Sequence, residues 1–183
     1  MNSFEHADIR LEQICLSEEI SDFDCGDDDL NEYFFKDSAA YRKELLSQSY
    51  QVFRVGSDLR YPLAYIDFCN DAIRREYLGG AKRKIHHLKR GFRNYPAVKI
   101  TRIGVRKSFQ GMGLGSLILD AVKLFFLQNM KAGCRFLTLD AYPSRVGFYR
   151  KNRFRELLVK DESVESHGVP MFFDLKELLE CAQ

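Results

Sequence analysis

Hydrophobic and polar positions change their period several times along the chain, and each change marks an element. Up to Ile20 no period is sustained, and that stretch predicts no element. Asp27-Asp28-Asp29 places carboxylates where a helix begins, facing the positive end of its dipole, and Leu30, Tyr33, Phe34, Tyr41 and Leu45 form that helix's apolar stripe. Ser49 to Val55 alternates through Tyr50, Val52, Phe53 and Val55 and reads as a strand; Gly56 to Asp58 is a turn, and Pro62 to Phe68 is the returning strand of a hairpin. Asn70 to Asn94 has no clear period and is divided at Gly79-Gly80, which predicts two short helical pieces or a loop. Pro96 opens a strand over Ala97 to Val105, carried by Val98, Ile100, Ile103 and Val105. From about Gly113 to Ala132, Leu117, Ile118, Ala121, Val122, Leu124, Phe125 and Met130 recur as one face of a long amphipathic helix, which Gly133 stops. Phe136 to Leu139 reads as a strand and Ser144 to Lys151 as a short helix. Two closing strands follow, Phe154 to Val159 and Val169 to Leu175, separated by a polar turn over Lys160 to Gly168.

A strand-helix-strand unit inside an otherwise hairpin-rich chain implies a mixed sheet with helices packed on it. The 183 residues fit one domain spanning 1–183, without repeats, low-complexity tracts or a linker. Composition adds limits rather than a function. Hydrophobic residues at 45% and charged residues at 30% suit a globular chain, and 15 Phe with 9 Tyr give its core aromatic bulk. A net charge of +2 is too small for polyanion binding by charge alone, so any nucleic-acid contact must come from a local patch. The five cysteines, Cys15, Cys25, Cys69, Cys134 and Cys181, show no metal or disulfide spacing, so no metal site is expected. Met1 is followed by neither a basic start nor an apolar run, and the segment from Leu117 to Leu127 is broken by Asp120 and Lys123. The expectation is a cytoplasmic protein with no secretory leader and no membrane contact.

The chemistry concentrates in Gln110-Gly111-Met112-Gly113-Leu114-Gly115-Ser116, between the strand ending at Ile103-Gly104-Val105 and the long helix. Glycines there allow positive φ and let backbone approach a ligand, and a helix N-terminus presents unpaired N–H groups to an anion. The spacing excludes a Walker loop, because no Lys follows any of these glycines, and a dinucleotide GxGxxG, because Gly111, Gly113 and Gly115 are two apart. A pyrophosphate site and a purely structural glycine turn both remain open on spacing alone.

Gln110, Gly113 and Gly115 form Gln-x-x-Gly-x-Gly, and Arg145-Val-Gly-Phe-Tyr149-Arg-Lys-Asn-Arg-Phe154 follows downstream. Together, over about Ala97 to Phe154, they resemble the coenzyme A signature of the GNAT superfamily of N-acetyltransferases and its later Ala-x-x-Phe-Tyr-x-x-x-Gly-Phe pattern. The resemblance implies a central mixed, mostly antiparallel sheet flanked by helices, with strands splayed at the cofactor site. It implies acetyl-coenzyme A as acetyl donor, without a metal. Ile103, Gly104 and Val105 would pair with the pantetheine arm, and backbone N–H groups of Gln110, Gly111, Met112, Gly113, Leu114 and Gly115, with the Ser116 hydroxyl, would hold the pyrophosphate. Tyr149 would protonate the departing thiolate as an acetyl group moves to a primary amine by direct attack in a ternary complex. Three departures stand out: Arg145 for alanine, Arg153 for the glycine before Phe154, and Tyr142 where many members carry a pantetheine-binding asparagine. Arg153 must therefore adopt glycine-like backbone geometry, or the turn differs.

No general base is named. Asp67 and Asp140 are candidates, with strand-end hydrogen bonding favoured for both, and His86 and His87 read as solvated. Phe23-Asp24-Cys25-Gly26, Leu30, Tyr33-Phe34 and Tyr95-Pro96-Ala97-Val98 are similar to the toxin-like subgroup, although Asn31 stands where that pattern has Asp. That likeness implies aminoacyl-tRNA as acceptor, contacted through the basic run Lys82–Arg93, and it admits a homodimer; the run alone reads equally as a solvated loop or a contact to the coenzyme's 3′-phosphate. A non-catalytic coenzyme A-binding regulator and an interaction module stay open beside the enzyme.

Overall fold

The computed structural model describes residues 3–59, 61–85, 92–129, 132–159 and 168–180. Its strands are β1 (Ser3–His6), β2 (Ile9–Gln13), β3 (Gln48–Arg54), β4 (Ala64–Arg74), β5 (Asn94–Val105), β6 (Phe136–Ala141), β7 (Arg155–Glu156) and β8 (Val169–Asp174). Its helices are α1 (Asp28–Glu32), α2 (Ser38–Lys43), α3 (Leu114–Asn129), α4 (Val146–Lys151) and α5 (Lys176–Glu180). The strands hydrogen-bond in the order β1-β2-β3-β4-β5-β6-β8-β7, and β1–β2, β2–β3, β3–β4, β6–β8 and β7–β8 are antiparallel. This is the mixed α/β class with a mostly antiparallel open sheet that the sequence implied. Two compact units emerge, Met1–Cys69 with Ile100–Asn129 and Asn70–Lys99 with Met130–Gln183.

In the first unit, the segment that predicted no element forms the β1–β2 hairpin. Ile9 and Leu11 are buried in β2 and alternate with Arg10 and Glu12. The strands have only 4 and 5 residues, and their turn uses Ala7 at φ 50 rather than glycine, so neither a sustained period nor a turn residue marks the hairpin in the sequence. Asp27 caps α1 as expected, its carboxylate accepting from the Leu30 N–H at 3.1 Å. The stripe then departs from expectation. Tyr33–Asp37 is a π-helical stretch, and the widened turn moves the inward face onto Ser38 and Arg42, leaving Tyr41 45% exposed; Leu45, 80% exposed, lies past the end of α2 at φ 58.

Arg42, fully buried, is satisfied by carbonyls and hydroxyls. It donates to Ser49 Oγ at 2.8 Å, Ser38 Oγ at 3.2 Å, Cys15 O at 3.2 Å and Glu18 O. Ile14, Ile20, Phe23, Cys25, Tyr33, Phe34 and Tyr65 pack as one core cluster. On α3, Ile118, Leu119, Ala121, Val122 and Phe126 are buried, and Phe126 meets the Phe68 ring edge-on at 4.8 Å.

In the second unit, β4 continues to Arg74, six residues beyond the expected end at Phe68. Ile73 supplies the reason, being buried against Leu78, Ile85, Tyr95, Ala97, Phe136 and Phe172. Arg75–Ile85 forms 3-10 turns kinked at Gly79, in accord with the short helical pieces predicted there. Of the two closing strands, β8 matches its prediction and β7 shrinks to two residues. The β6–β8 pairing sets Leu137 opposite Phe173 and Leu139 opposite Met171, and all four are buried. Asp174 closes that pairing at 1% exposure, held by both guanidinium arms of Arg135 at 2.6 and 2.9 Å.

Candidate active site

The glycine loop belongs to the first unit. β5 ends at Val105, a single 3-10 turn spans Lys107–Phe109, and α3 begins at Leu114. Gly111 and Gly113 hold φ of 78 and 79, the left-handed region that L side chains adopt only at a cost. A Cβ at either position would meet nothing within 4 Å, so steric crowding inside the protein does not require glycine there. What requires it is the backbone conformation, and the space above both residues stays clear for a guest. The carbonyl of Gly113 accepts from Ser116 and Leu117 at 3.1 and 3.3 Å and starts the helix. The preceding N–H groups lie at the positive end of a 16-residue dipole. Met112 is 73% exposed at the tip. These features fit a pyrophosphate.

Gln110 does something the spacing could not reveal. Its Nε2 donates to Cys25 O at 2.6 Å and Val105 O at 2.8 Å, while its own N–H is taken by Lys107 O at 3.3 Å. Gly104 has its own reason to be glycine: a Cβ there would lie 3.0 and 3.1 Å from the Phe23 ring. Ile103 and Val105 flank it, half-buried. Arg106, to which no motif points, stacks on Tyr61 and Phe23 and donates to Asp22 O at 2.7 Å.

Tyr149 belongs to the second unit, on α4, half-buried between Phe148 at 5.1 Å and Phe154 at 5.9 Å. Burial raises its pKa from 10.0 to about 12, a shift that the charge of Arg145 opposes. The phenol therefore keeps its proton at neutral pH, as a proton donor must. Arg153 adopts the glycine-like geometry, with φ 67, and its guanidinium pairs with Glu177 at 3.1 Å and lies over the Phe173 ring. Tyr142 is 50% exposed, and its carbonyl accepts from the Arg145 N–H at 2.7 Å.

The two carboxylate candidates differ. Asp67 is fully buried and accepts from Tyr33 Oη at 2.7 Å and Ser47 Oγ at 3.1 Å. Asp140 pairs with Lys99 at 2.6 Å, both about one third exposed, beside a cavity of about 350 Å³ that Asp71, Thr138, Leu157 and Pro170 also line. His86, His87 and the rest of 86–91 in the basic run Lys82–Arg93 lie outside the described residues. Among the described residues, no group of three or more His, Cys, Asp or Glu could hold a metal ion, and no helix is long and apolar enough to cross a membrane.

Comparison with known proteins bears on this geometry. Residues 87–174 match the family model described as "Acetyltransferase (GNAT) domain". No curated protein matches the chain in sequence. Among solved structures, AtaT complexed with acetyl-methionyl-tRNAfMet is similar at 21% identity and a TM-score of 0.73, over 96% of this chain and 100% of that one. A mutant of KacT is similar at 20% identity and a TM-score of 0.69, over 96% and 99%. AtaTR bound with AcCoA is similar at 21% identity and a TM-score of 0.67, over 96% and 99%. At these identities the solved structures speak for the fold, and the family model speaks for the domain within it. Over residues 87–174 the chain matches a GNAT acetyltransferase domain, and across nearly its whole length it shares the fold of these solved structures.

Proposed function

We propose that this acetyltransferase moves an acetyl group from acetyl-coenzyme A to a primary amine by direct attack in a ternary complex. The observation that carries the reading is the pair of left-handed glycines, Gly111 and Gly113, opening onto clear space at the N-terminus of α3. The N–H groups from Gly111 to Gly115, with the Ser116 hydroxyl, hold the donor's pyrophosphate, and the edge from Ile103 to Val105 pairs with its pantetheine arm. Gln110 serves through its side chain, since its N–H is already bonded to Lys107 O. The donor supplies an activated thioester. As the amine's lone pair forms the new C–N bond, the C–S bond breaks and the Tyr149 hydroxyl gives its proton to the departing thiolate; the proton that the nitrogen sheds passes to water, and water returns one to the Tyr149 phenolate. Asp67 is reserved for structure, because it is fully buried and its Oδ2 holds two hydroxyls.

A narrower reading takes the α-amino group of aminoacyl-tRNA as acceptor. It is supported by AtaT, whose structure with acetyl-methionyl-tRNAfMet is matched over 96% of this chain, and by the basic run Lys82–Arg93. The test offers isotope-labelled acetyl-coenzyme A with charged tRNA, ribosomal proteins and polyamines. Label on charged tRNA supports the narrower reading, and label on polyamines alone removes it. Tyr149→Phe is expected to lower turnover by about 10²-fold while binding acetyl-coenzyme A normally. A Tyr149→Phe variant as active as the parent would remove the acid role, and a parent that binds the donor without turnover would be a regulator.

A further inference from the structure

The segment Asp22–Gly26 plays no part in the chemistry above, yet three of its carbonyls aim at the turn that delivers the glycine loop. Asp22 O accepts from the Arg106 guanidinium at 2.7 Å, Asp24 O from the Lys107 N–H at 2.8 Å, and Cys25 O from Gln110 Nε2 at 2.6 Å. The carbonyls face outward because the side chains between them face inward: Phe23 and Cys25 are 3% and 6% exposed in the core cluster with Phe34 and Tyr65. One residue holds this segment in register. Asn31 Oδ1 accepts from the Cys25 N–H at 3.0 Å and from Cys25 Sγ at 3.1 Å, and Asn31 Nδ2 donates to Asp24 Oδ1 at 3.1 Å. Asp24 Oδ1 also accepts from the Gly26 N–H at 2.7 Å, and these bonds, Gly26 first and Asn31 second, hold its carboxyl below the usual range. On the far side, Gln110 Nε2 donates to Val105 O at 2.8 Å as well, so a single side-chain amide spans the brace and the end of β5.

A core packing role alone does not call for this arrangement. Packing accounts for Phe23 and Cys25 but not for three outward carbonyls in four residues, each matched by a donor between Arg106 and Gln110. We infer that Asp22–Gly26 is a brace for the donor-binding loop, with Asn31 and Gln110 as positioning residues that act through the Cys25 carbonyl. Neither touches the donor. They fix where the backbone leaves Gln110, and so where the N–H groups of Gly111 to Gly115 point. A phosphate held by several amides at once is sensitive to small displacements of that backbone, because hydrogen bonds weaken steeply with angle. The Phe23-Asp24-Cys25-Gly26 motif thereby acquires a function in cofactor affinity.

The inference rests on the reading of Gly111–Gly115 as the pyrophosphate site, and the experiment separates the two. Calorimetry compares acetyl-coenzyme A with S-acetyl-pantetheine, which lacks the pyrophosphate and the adenosine, on the full chain and on Asn31→Ala, Gln110→Leu and the double variant. Both single variants are expected to bind acetyl-coenzyme A about tenfold more weakly and S-acetyl-pantetheine within about twofold of the parent. The double variant should be no worse than the weaker single one, because both substitutions cut the same path. Equal losses on both donors, or an unchanged affinity for acetyl-coenzyme A in either single variant, overturn the brace. Gln110 is exposed, so its variant keeps the test open if Asn31→Ala folds poorly. A parent that does not prefer acetyl-coenzyme A over S-acetyl-pantetheine overturns the pyrophosphate reading itself.

Discussion

Replacing Asp67 by alanine removes the acceptor of two hydroxyls in the interior of the first unit. Tyr33 Oη, on a side chain 8% exposed, loses a 2.7 Å bond, and Ser47 Oγ, 9% exposed, loses one of 3.1 Å. Each unsatisfied buried donor costs about 1–3 kcal/mol. Arg42 loses a charge that offsets part of its burial, which otherwise pulls its pKa down. These penalties overlap, since the same carboxylate serves all three groups, so the expected loss is about 3–4 kcal/mol rather than their sum. Asp67→Asn keeps an acceptor for Tyr33 and forfeits only the charge, so about 1–2 kcal/mol is expected. The assay is urea unfolding followed by far-UV circular dichroism and tyrosine fluorescence, which is readable because the chain has 9 Tyr and no Trp. The reasoning fails if Asp67→Ala stays within about 1 kcal/mol of the parent or if the two variants fall equally. The same Asp67→Asn protein tests catalysis: turnover lost about 100-fold at unchanged stability would make Asp67 the base after all.

Gly113→Ala is expected to lose about 1 kcal/mol of stability from its positive φ, and about tenfold in acetyl-coenzyme A affinity because a methyl group enters the clear space; melting and calorimetry check the two effects separately. The Tyr149 phenol, raised from 10.0 to about 12, favours the folded state in full below pH 10, and that contribution is lost as pH rises toward 12. The stability difference between the parent and Tyr149→Phe should therefore shrink across pH 10 to 12, and a difference that is flat over that range contradicts the burial argument. Arg135→Ala leaves the Asp174 carboxylate buried without its bidentate partner and should cost about 3 kcal/mol in urea unfolding, with Arg135→Lys restoring less than half.

The sequence by itself determined the parts of this protein whose reasons are local. A helix that starts on Asp27, a strand that ends at Val105 and a loop built on Gly111 and Gly113 follow from capping, alternation and backbone freedom, and they appear where the pattern set them. Arg153 shows the limit of such reasoning: the motif demanded glycine-like geometry there, and only the fold shows an arginine meeting it at φ 67, tied to Glu177. The π-helical turn at Tyr33–Asp37 likewise moved Arg42 inward and Tyr41 outward, because one widened turn shifts every later residue on the helix face. Tertiary structure alone decided the role of Gln110. Its partner, Cys25 O, stands 85 residues away in sequence, and no period or spacing encodes which carbonyl a side-chain amide will find. Local chemistry named the loop, and long-range hydrogen bonds decided what holds it in place.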